Sequence, residues 1–107
     1  MEVKRLADAR RFAAEKLAKT SVFATERLFY DVYGLEPGQA QKVHSHAASD
    51  KVYLVLDGAA RVTLGAEEQE LAAGEAVLCP AGVAHGVMNS GAARCALLVV
   101  TTPPPSK

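Results

Sequence analysis

The sequence predicts an all-β fold in which two sheets form a sandwich or a barrel, and two observations carry this prediction. Short runs rich in β-branched and aromatic residues follow one another after Thr20. Glycine and proline interrupt these runs about every 8–12 residues, which is the turn spacing of sandwiches and barrels. The runs are 22–24, 28–33, 41–46, 51–57, 60–65, 70–71, 76–79, 85–88 and 95–101.

One helix is predicted before the strands, over residues 7–19. Phe12 and Leu17 fall near one face of such a helix, and most charged residues lie elsewhere on it. Asp8, near the helix start, suits the helix dipole. We therefore expect a short amphipathic helix that packs on the outside of a barrel spanning about residues 22–101.

The C-terminal residues 102–107 are predicted to form an exposed tail. They include Pro103, Pro104 and Pro105, and proline has no amide hydrogen with which to join the interior of a sheet. A run of three prolines is also stiff.

Length and composition predict a single domain, residues 1–107. Half of the 107 residues are hydrophobic, which is enough for one modest core. The 12 basic and 12 acidic residues cancel, so neither nucleic acid nor an anionic membrane is an expected partner. No apolar run approaches a membrane span, and the first residues lack the apolar core of a signal peptide. We expect a cytoplasmic protein, and in that compartment Cys79 and Cys95 are expected to stay free.

The predicted strand 51–57 is apolar on both faces. Val52, Leu54 and Leu56 point one way, and Lys51, Tyr53 and Val55 point the other. A strand with one face in water would alternate with polar residues. We expect one face to line the barrel interior and the other to meet a covering element or a second copy of the chain, which favours a homodimer.

Two of the three histidines, His44 and His46, lie two positions apart in the predicted strand 41–46. Residues at i and i+2 of a strand share a face, so small rotamer changes would bring both imidazoles onto one metal ion. The alternative is a pair of ordinary polar residues on a strand. The third histidine, His85, lies in the stretch 74–89, which ends in Asn89.

Together these stretches resemble the two sequence signatures of the cupin family, small double-sheet β-barrels of the jelly-roll or double-stranded β-helix type. The resemblance covers residues 38–89. Its matching positions are Gly38, His44, His46 and Gly58 in the first signature, and Gly74, Pro80, Gly82, His85 and Asn89 in the second. It implies that His44, His46 and His85 bind a divalent transition metal such as Zn, Ni, Mn or Fe.

The sequence departs from the family at Lys51, where the first signature has a glutamate ligand. Asp50 is the nearest carboxylate, but it should point to the opposite face unless the strand bulges. Lys51 would repel a cation unless it were deprotonated. We predict that Lys51 does not bind the metal, that water or a ligand atom completes the shell, and that the site prefers anions. The alternative is a solvated lysine paired with Asp50 or a glutamate.

Lys51 and Tyr53 are the candidate catalytic residues. They share one face of the predicted strand 51–57, so Tyr53 is placed to line the cavity beside Lys51, and it is equally suited to be a core aromatic. The resemblance permits several functions. The first is a metal-dependent enzyme that acts on a small, anionic organic molecule as a dioxygenase, isomerase or cyclase. The second is a module that binds or senses a small molecule without turnover. The third is a metal-free barrel in which a histidine acts as acid or base, as in some sugar epimerases of this fold.

Overall fold

A computed structural model describes residues 1–105 as nine β-strands in two antiparallel sheets. The strands are β1 (Ala18–Ala24), β2 (Phe29–Leu35), β3 (Ala40–His44), β4 (Asp50–Asp57), β5 (Ala59–Leu64), β6 (Glu67–Ala72), β7 (Ala76–Cys79), β8 (His85–Met88) and β9 (Cys95–Thr102). One sheet has the order β1-β2-β9-β4-β7, and the other has the order β3-β8-β5-β6. The predicted all-β, two-sheet jelly roll is therefore confirmed.

The core lies between the two sheets, and β4 shows how alternation places residues there. Lys51, Tyr53 and Val55 are buried, whereas Val52, Leu54 and Leu56 are half-buried on the outer face. Opposite Tyr53 and Val55, strand β9 contributes Val99 and Leu97, which are also fully buried. The inward and outward faces predicted for this strand are both observed. Lys51 is the charged residue on the buried face.

The helix predicted over residues 7–19 is wrong. Leu6–Ala9 forms one 3₁₀ turn, and Ala18 already begins β1, which pairs with β2. The pairing of β1 with β2 outweighs the weak helical preference of this segment. Ala9 and Leu6 still bury apolar surface against the outer face of the five-stranded sheet without a helix. Within residues 1–105, no helix has both the length and the apolar character needed to cross a membrane.

The segment between the 3₁₀ turn and β1 packs tightly across β2 at Gly34. A Cβ atom built on Gly34 would lie 1.9 Å from the carbonyl oxygen of Arg11. Such a distance is far below van der Waals contact, so a glycine is needed at this crossing. Part of the predicted covering of the outer sheet face is thus provided by an irregular segment rather than by a helix.

The C-terminal segment also differs from its prediction. Strand β9 continues to Thr102, and Pro104 and Pro105 are half-buried rather than exposed. The carbonyl oxygen of Pro103 accepts a hydrogen bond from Ser49 Oγ at 2.6 Å, which ties this segment to the loop before β4. Ser106 and Lys107, the last residues of the predicted tail, lie outside the described part of the chain.

Candidate metal centre

The three histidines come together at the ends of two neighbouring strands. His44 ends β3 and faces His85, the first residue of β8, in the antiparallel ladder. His46 lies in the loop beyond β3, so the predicted strand 41–46 ends two residues earlier in the structure, at His44. The amide of Gly82, whose φ is +82°, donates to the carbonyl oxygen of His46 at 2.8 Å and holds that loop in place. The ring centroid of His44 lies 4.8 Å from that of His46 and 4.4 Å from that of His85.

The ring nitrogens of the three histidines lie close enough together to bind one metal ion. One nitrogen from each of the three rings lies within 4.8 Å of the others. Nδ1 of His44 lies 2.7 Å from the carbonyl oxygen of Lys42, and Nδ1 of His85 lies 3.0 Å from that of Val83. A carbonyl oxygen only accepts, so each Nδ1 carries the proton and each Nε2 carries a lone pair, which in His44 lies 3.3 Å from Lys51 Nζ.

Nε2 of His85 provides the test of whether a metal fits. His85 is 1% exposed, and this nitrogen has no hydrogen-bond partner among the described residues. A buried acceptor without a partner costs about 1–3 kcal/mol. A metal ion bound by the three rings would satisfy it, so the donor set fits a cation with a preference for nitrogen ligands.

The surroundings keep two of the imidazoles neutral, which is the form that binds metals. Burial lowers the pKa of His85 most, and the nearby Lys51 lowers it further, against the opposing effect of the Val83 carbonyl. The pKa of His46 is lowered by burial first and then by the positive charge of Lys51. Neutral rings do not have to lose a proton before they bind a cation.

Lys51 is buried beside the histidines, so the alternative of a solvated lysine is wrong. It is 3% exposed, and its Nζ lies 3.3 Å from Nε2 of His44. Within residues 1–105, no carboxylate oxygen lies within the 4.0 Å of an ion pair with this ammonium group. Burial, and next the charge of Lys19, lower the pKa of Lys51 to about 8.

Asp50 is directed away from this group. Its Oδ1 accepts a hydrogen bond from the amide of Ala81 at 2.8 Å, and the residue is exposed. Strand β4 pairs regularly at Asp50 and Lys51, and its irregularity lies instead between Val55 and Asp57. No bulge therefore turns Asp50 inward, as expected from strand alternation.

An open cleft of about 580 Å³ adjoins the histidines. His44, His46 and Lys51 line it, as predicted. The sequence reasoning missed the other residues that line it, among them Lys19, Asp31, Tyr33 and Gln41. Burial raises the pKa of Asp31, while the ammonium groups of Lys19 and Lys51 oppose that rise. The alternation of Asp31 and Tyr33 around the apolar Val32 was the available signal that both share one face of β2.

Tyr53 does not line this cleft. It is fully buried, its hydroxyl donates to Oε1 of Gln41 at 2.5 Å, and its ring centroid lies 6.2 Å from that of His85. Of the two candidate catalytic residues, Lys51 therefore contacts the cleft directly, and Tyr53 reaches it only through Gln41.

The Cupin domain family profile matches residues 31–101. The chain is a cupin. This confirms the resemblance drawn from the two signatures, and the matched range contains both of them along with the three histidines.

The chain is also similar to individual proteins. The crystal structure of TT1209 from Thermus thermophilus is 53% identical, with a TM-score of 0.96, covering 98% of this chain and 100% of that one. The protein SCO3923 from Streptomyces coelicolor is 39% identical over 75 residues, which are 70% of each chain. A Klebsiella pneumoniae protein with a double-stranded β-helix domain is 24% identical, with a TM-score of 0.88 over 96% of this cupin and 90% of its own chain. The similarity to the Klebsiella protein shows only that the two proteins share a fold.

Proposed function

We propose that this cupin binds a divalent transition metal through His44, His46 and His85 and acts on a small, anionic organic molecule in the adjoining cleft. The observation that carries the proposal is the convergence of three ring nitrogens, one of which, Nε2 of His85, is buried without a partner among the described residues. Three neutral nitrogen ligands are compatible with Zn, Ni, Mn or Fe.

The metal would supply Lewis acidity, or oxygen chemistry if it is iron, at an open coordination position. The surrounding side chains bind and orient the ligand. Lys51 carries a buried positive charge with no carboxylate beside it in residues 1–105, so an anionic group of the ligand is its natural partner. A dioxygenase, isomerase or cyclase reaction is compatible with this arrangement.

A second candidate, a metal-free acid–base enzyme, is favoured by the contact between Lys51 and His44. A lysine whose pKa is lowered to about 8, with its Nζ 3.3 Å from Nε2 of His44, is suited to moving a proton near neutral pH. The two candidates differ in one respect that is easily measured. Protein stripped of metal by a chelator keeps its activity under the second proposal and loses it under the first.

Elemental analysis of the freshly purified protein tests the proposal. We expect close to one transition-metal ion per chain, and at least a tenfold lower content in His85→Ala, since even changes around a ligand cost about 10–100-fold in affinity. The matched control is Gln69→Ala, on an exposed position of β6, which should keep the metal. Full metal retention by a folded His85→Ala protein would contradict the proposal.

We further propose that the protein works in the cytoplasm and as a homodimer. The free, buried thiols of Cys79 and Cys95 support a reducing compartment. The apolar outer face of the five-stranded sheet supports the dimer, and its test is given in the Discussion.

A further inference from the structure

Gln41 lies between two tyrosines, and the distances indicate how its amide is oriented. Tyr53 Oη lies 2.5 Å from one end of the amide, and Tyr33 Oη lies 3.3 Å from the other. The shorter distance suits O–H···O and the longer one suits N–H···O. The carbonyl oxygen of Gln41 is therefore occupied by the hydroxyl of Tyr53, and its NH₂ group points toward Tyr33.

This orientation leaves two neutral donors facing the cleft. Gln41 Nε2 has a second hydrogen beyond the one it gives to Tyr33. In the side-chain hydrogen bonds of residues 1–105, the Tyr33 hydroxyl serves only as an acceptor, so its own hydrogen is free. Tyr33 is 3% exposed, and burial raises its pKa to about 12, which keeps that hydrogen in place. Both residues line the cleft that also contains His44 and Lys51.

The charges around the cleft indicate how many negative groups a ligand should carry. Lys51 is buried and has no carboxylate within 4.0 Å in the described part of the chain. The carboxylate of Asp31 interacts with the ammonium groups of both Lys19 and Lys51, so it offsets one of these two positive charges. Lys42 is exposed, where water screens its charge. The side chains thus leave a net of about one positive charge, which suits one anionic group; a metal ion at the histidines would add its own charge to this count.

We propose that the ligand is a small monocarboxylate that carries a second, uncharged oxygen, that is, an oxo- or hydroxy-carboxylate. Its carboxylate pairs with Lys51, and its second oxygen accepts hydrogen bonds from Gln41 and Tyr33. Tyr53 is a positioning residue in this assignment, because it fixes the Gln41 amide. The inference rests on the proposed binding of a small anion in this cleft and narrows the class of that anion.

A site built from buried donors rejects ligands that lack the matching oxygen, because the donors are then left without a partner. Pairs of carboxylates that differ by one oxygen therefore provide the test. The pairs are pyruvate and propionate, 3-hydroxybutyrate and butyrate, and 4-oxopentanoate and pentanoate, which vary the spacing between the two groups. Isothermal titration calorimetry on metal-loaded protein gives each affinity. We expect at least one oxygenated member to bind about tenfold more tightly than its partner.

Variants distinguish recognition of the second oxygen by Gln41 and Tyr33 from binding of that oxygen to the metal. Gln41→Met removes the amide at similar length, and Tyr33→Phe removes only the hydroxyl. Each should reduce the preference for the oxygenated carboxylate to less than about threefold, while the metal content stays as in the wild type. Tyr53→Phe frees the Gln41 amide to rotate and should reduce the preference partly. The control is Gln69→Met on exposed β6, which should keep the full preference.

Three results would overturn the inference. These are equal binding within every pair, a preference that survives in both folded Gln41→Met and Tyr33→Phe, and a dicarboxylate such as malonate that binds more tightly than every oxygenated monocarboxylate. The proposed metal site fails separately, through absence of metal from the wild-type protein. A preference that persists in metal-free protein and is lost in the two variants would support the inference and show that the preference does not depend on the metal.

Discussion

Lys51 is the residue that distinguishes this site from the cupin signature, and its burial determines what it does there. With 3% of its surface exposed and Nζ 3.3 Å from His44, it cannot take the role of a glutamate while it is charged. Replacing one negative group by one positive group makes the site more positive by about two charges. We therefore expect the site to favour an anionic ligand that pairs with the lysine.

Substitution of Lys51 tests this account. Lys51→Glu should tighten metal binding by about tenfold or more and weaken binding of small carboxylates, because it restores a negative ligand. Competition with a chelator measures the first effect, and calorimetry with propionate measures the second. Lys51→Met should keep the metal. If the methionine protein is folded but loses it, neutral lysine is a ligand and the account fails.

The spacing of the signatures was enough to predict His44, His46 and His85. It could not predict Lys19, Asp31, Tyr33 or Gln41 as their neighbours. These residues reach the cleft through the pairing of β1 with β2 and the packing of β3 across the barrel, and such long-range register is only weakly encoded in local sequence. The predicted helix included Lys19, because the pairing of β1 with β2 is likewise only weakly encoded in the local sequence.

Cys95 makes stability depend on pH in the alkaline range. Burial, with a smaller effect of Asp57, raises the pKa of its thiol from 9.0 to about 11. The folded state therefore keeps a proton that the unfolded state loses above pH 9, so the free energy of unfolding should fall between about pH 9 and pH 11. The slope from one such group is at most about 1.4 kcal/mol per pH unit.

Urea unfolding across this range measures the slope. Cys95→Ala should make the fall less steep, whatever the substitution does to stability at neutral pH. The slope that remains is expected from the buried groups Cys79 and Tyr33, whose pKa values are also raised. An unchanged slope in Cys95→Ala would show that the thiol does not cause the loss.

Among the elements, the N-terminal segment is where the sequence reasoning failed. The spacing of its charged and apolar residues fits an amphipathic helix. In the structure β1 instead starts at Ala18 and pairs with β2 along its length. Hydrogen bonds and apolar burial across the sheet outweigh a helical preference of a few tenths of a kcal/mol per residue. The strands were easier to predict, because alternation and turn residues agree along each of them.

The crossing of this segment over β2 gives a prediction at Gly34. Gly34→Ala should lower the free energy of unfolding by about 2 kcal/mol or more, because the new methyl group would collide with the Arg11 carbonyl at 1.9 Å. Gly91→Ala is the control, since its nearest neighbour would lie 3.6 Å away. Chemical denaturation compares the two. Equal, small effects would mean that the segment does not pack on Gly34.

At the scale of the whole molecule, an apolar row crosses the outer face of the five-stranded sheet. Leu78 pairs with Val52, Val52 pairs with Val100, and Val100 pairs with Tyr30. Leu78 is 55% exposed. The N-terminal segment covers the part of this face near Val32 but leaves this row in contact with solvent. A second copy of the chain would bury it.

We therefore predict a homodimer at micromolar concentration, measured by sedimentation equilibrium. Leu78→Glu should shift the protein to the mass of one chain, because it places a charge in the interface. Val43→Glu is the matched control: Val43 is also 55% exposed, but it lies on the other sheet. A wild-type mass of one chain, or dissociation by Val43→Glu alone, would contradict this arrangement.

The central claim is that three histidines share one metal ion. Anomalous X-ray scattering from a crystal of the metal-loaded protein tests it most directly. The account predicts one strong peak at about 2.0–2.2 Å from a ring nitrogen of each of His44, His46 and His85. It also predicts that Lys51 Nζ lies outside the coordination shell. A peak that lacks any one of the three histidines, or that has Lys51 Nζ at bonding distance, would contradict it.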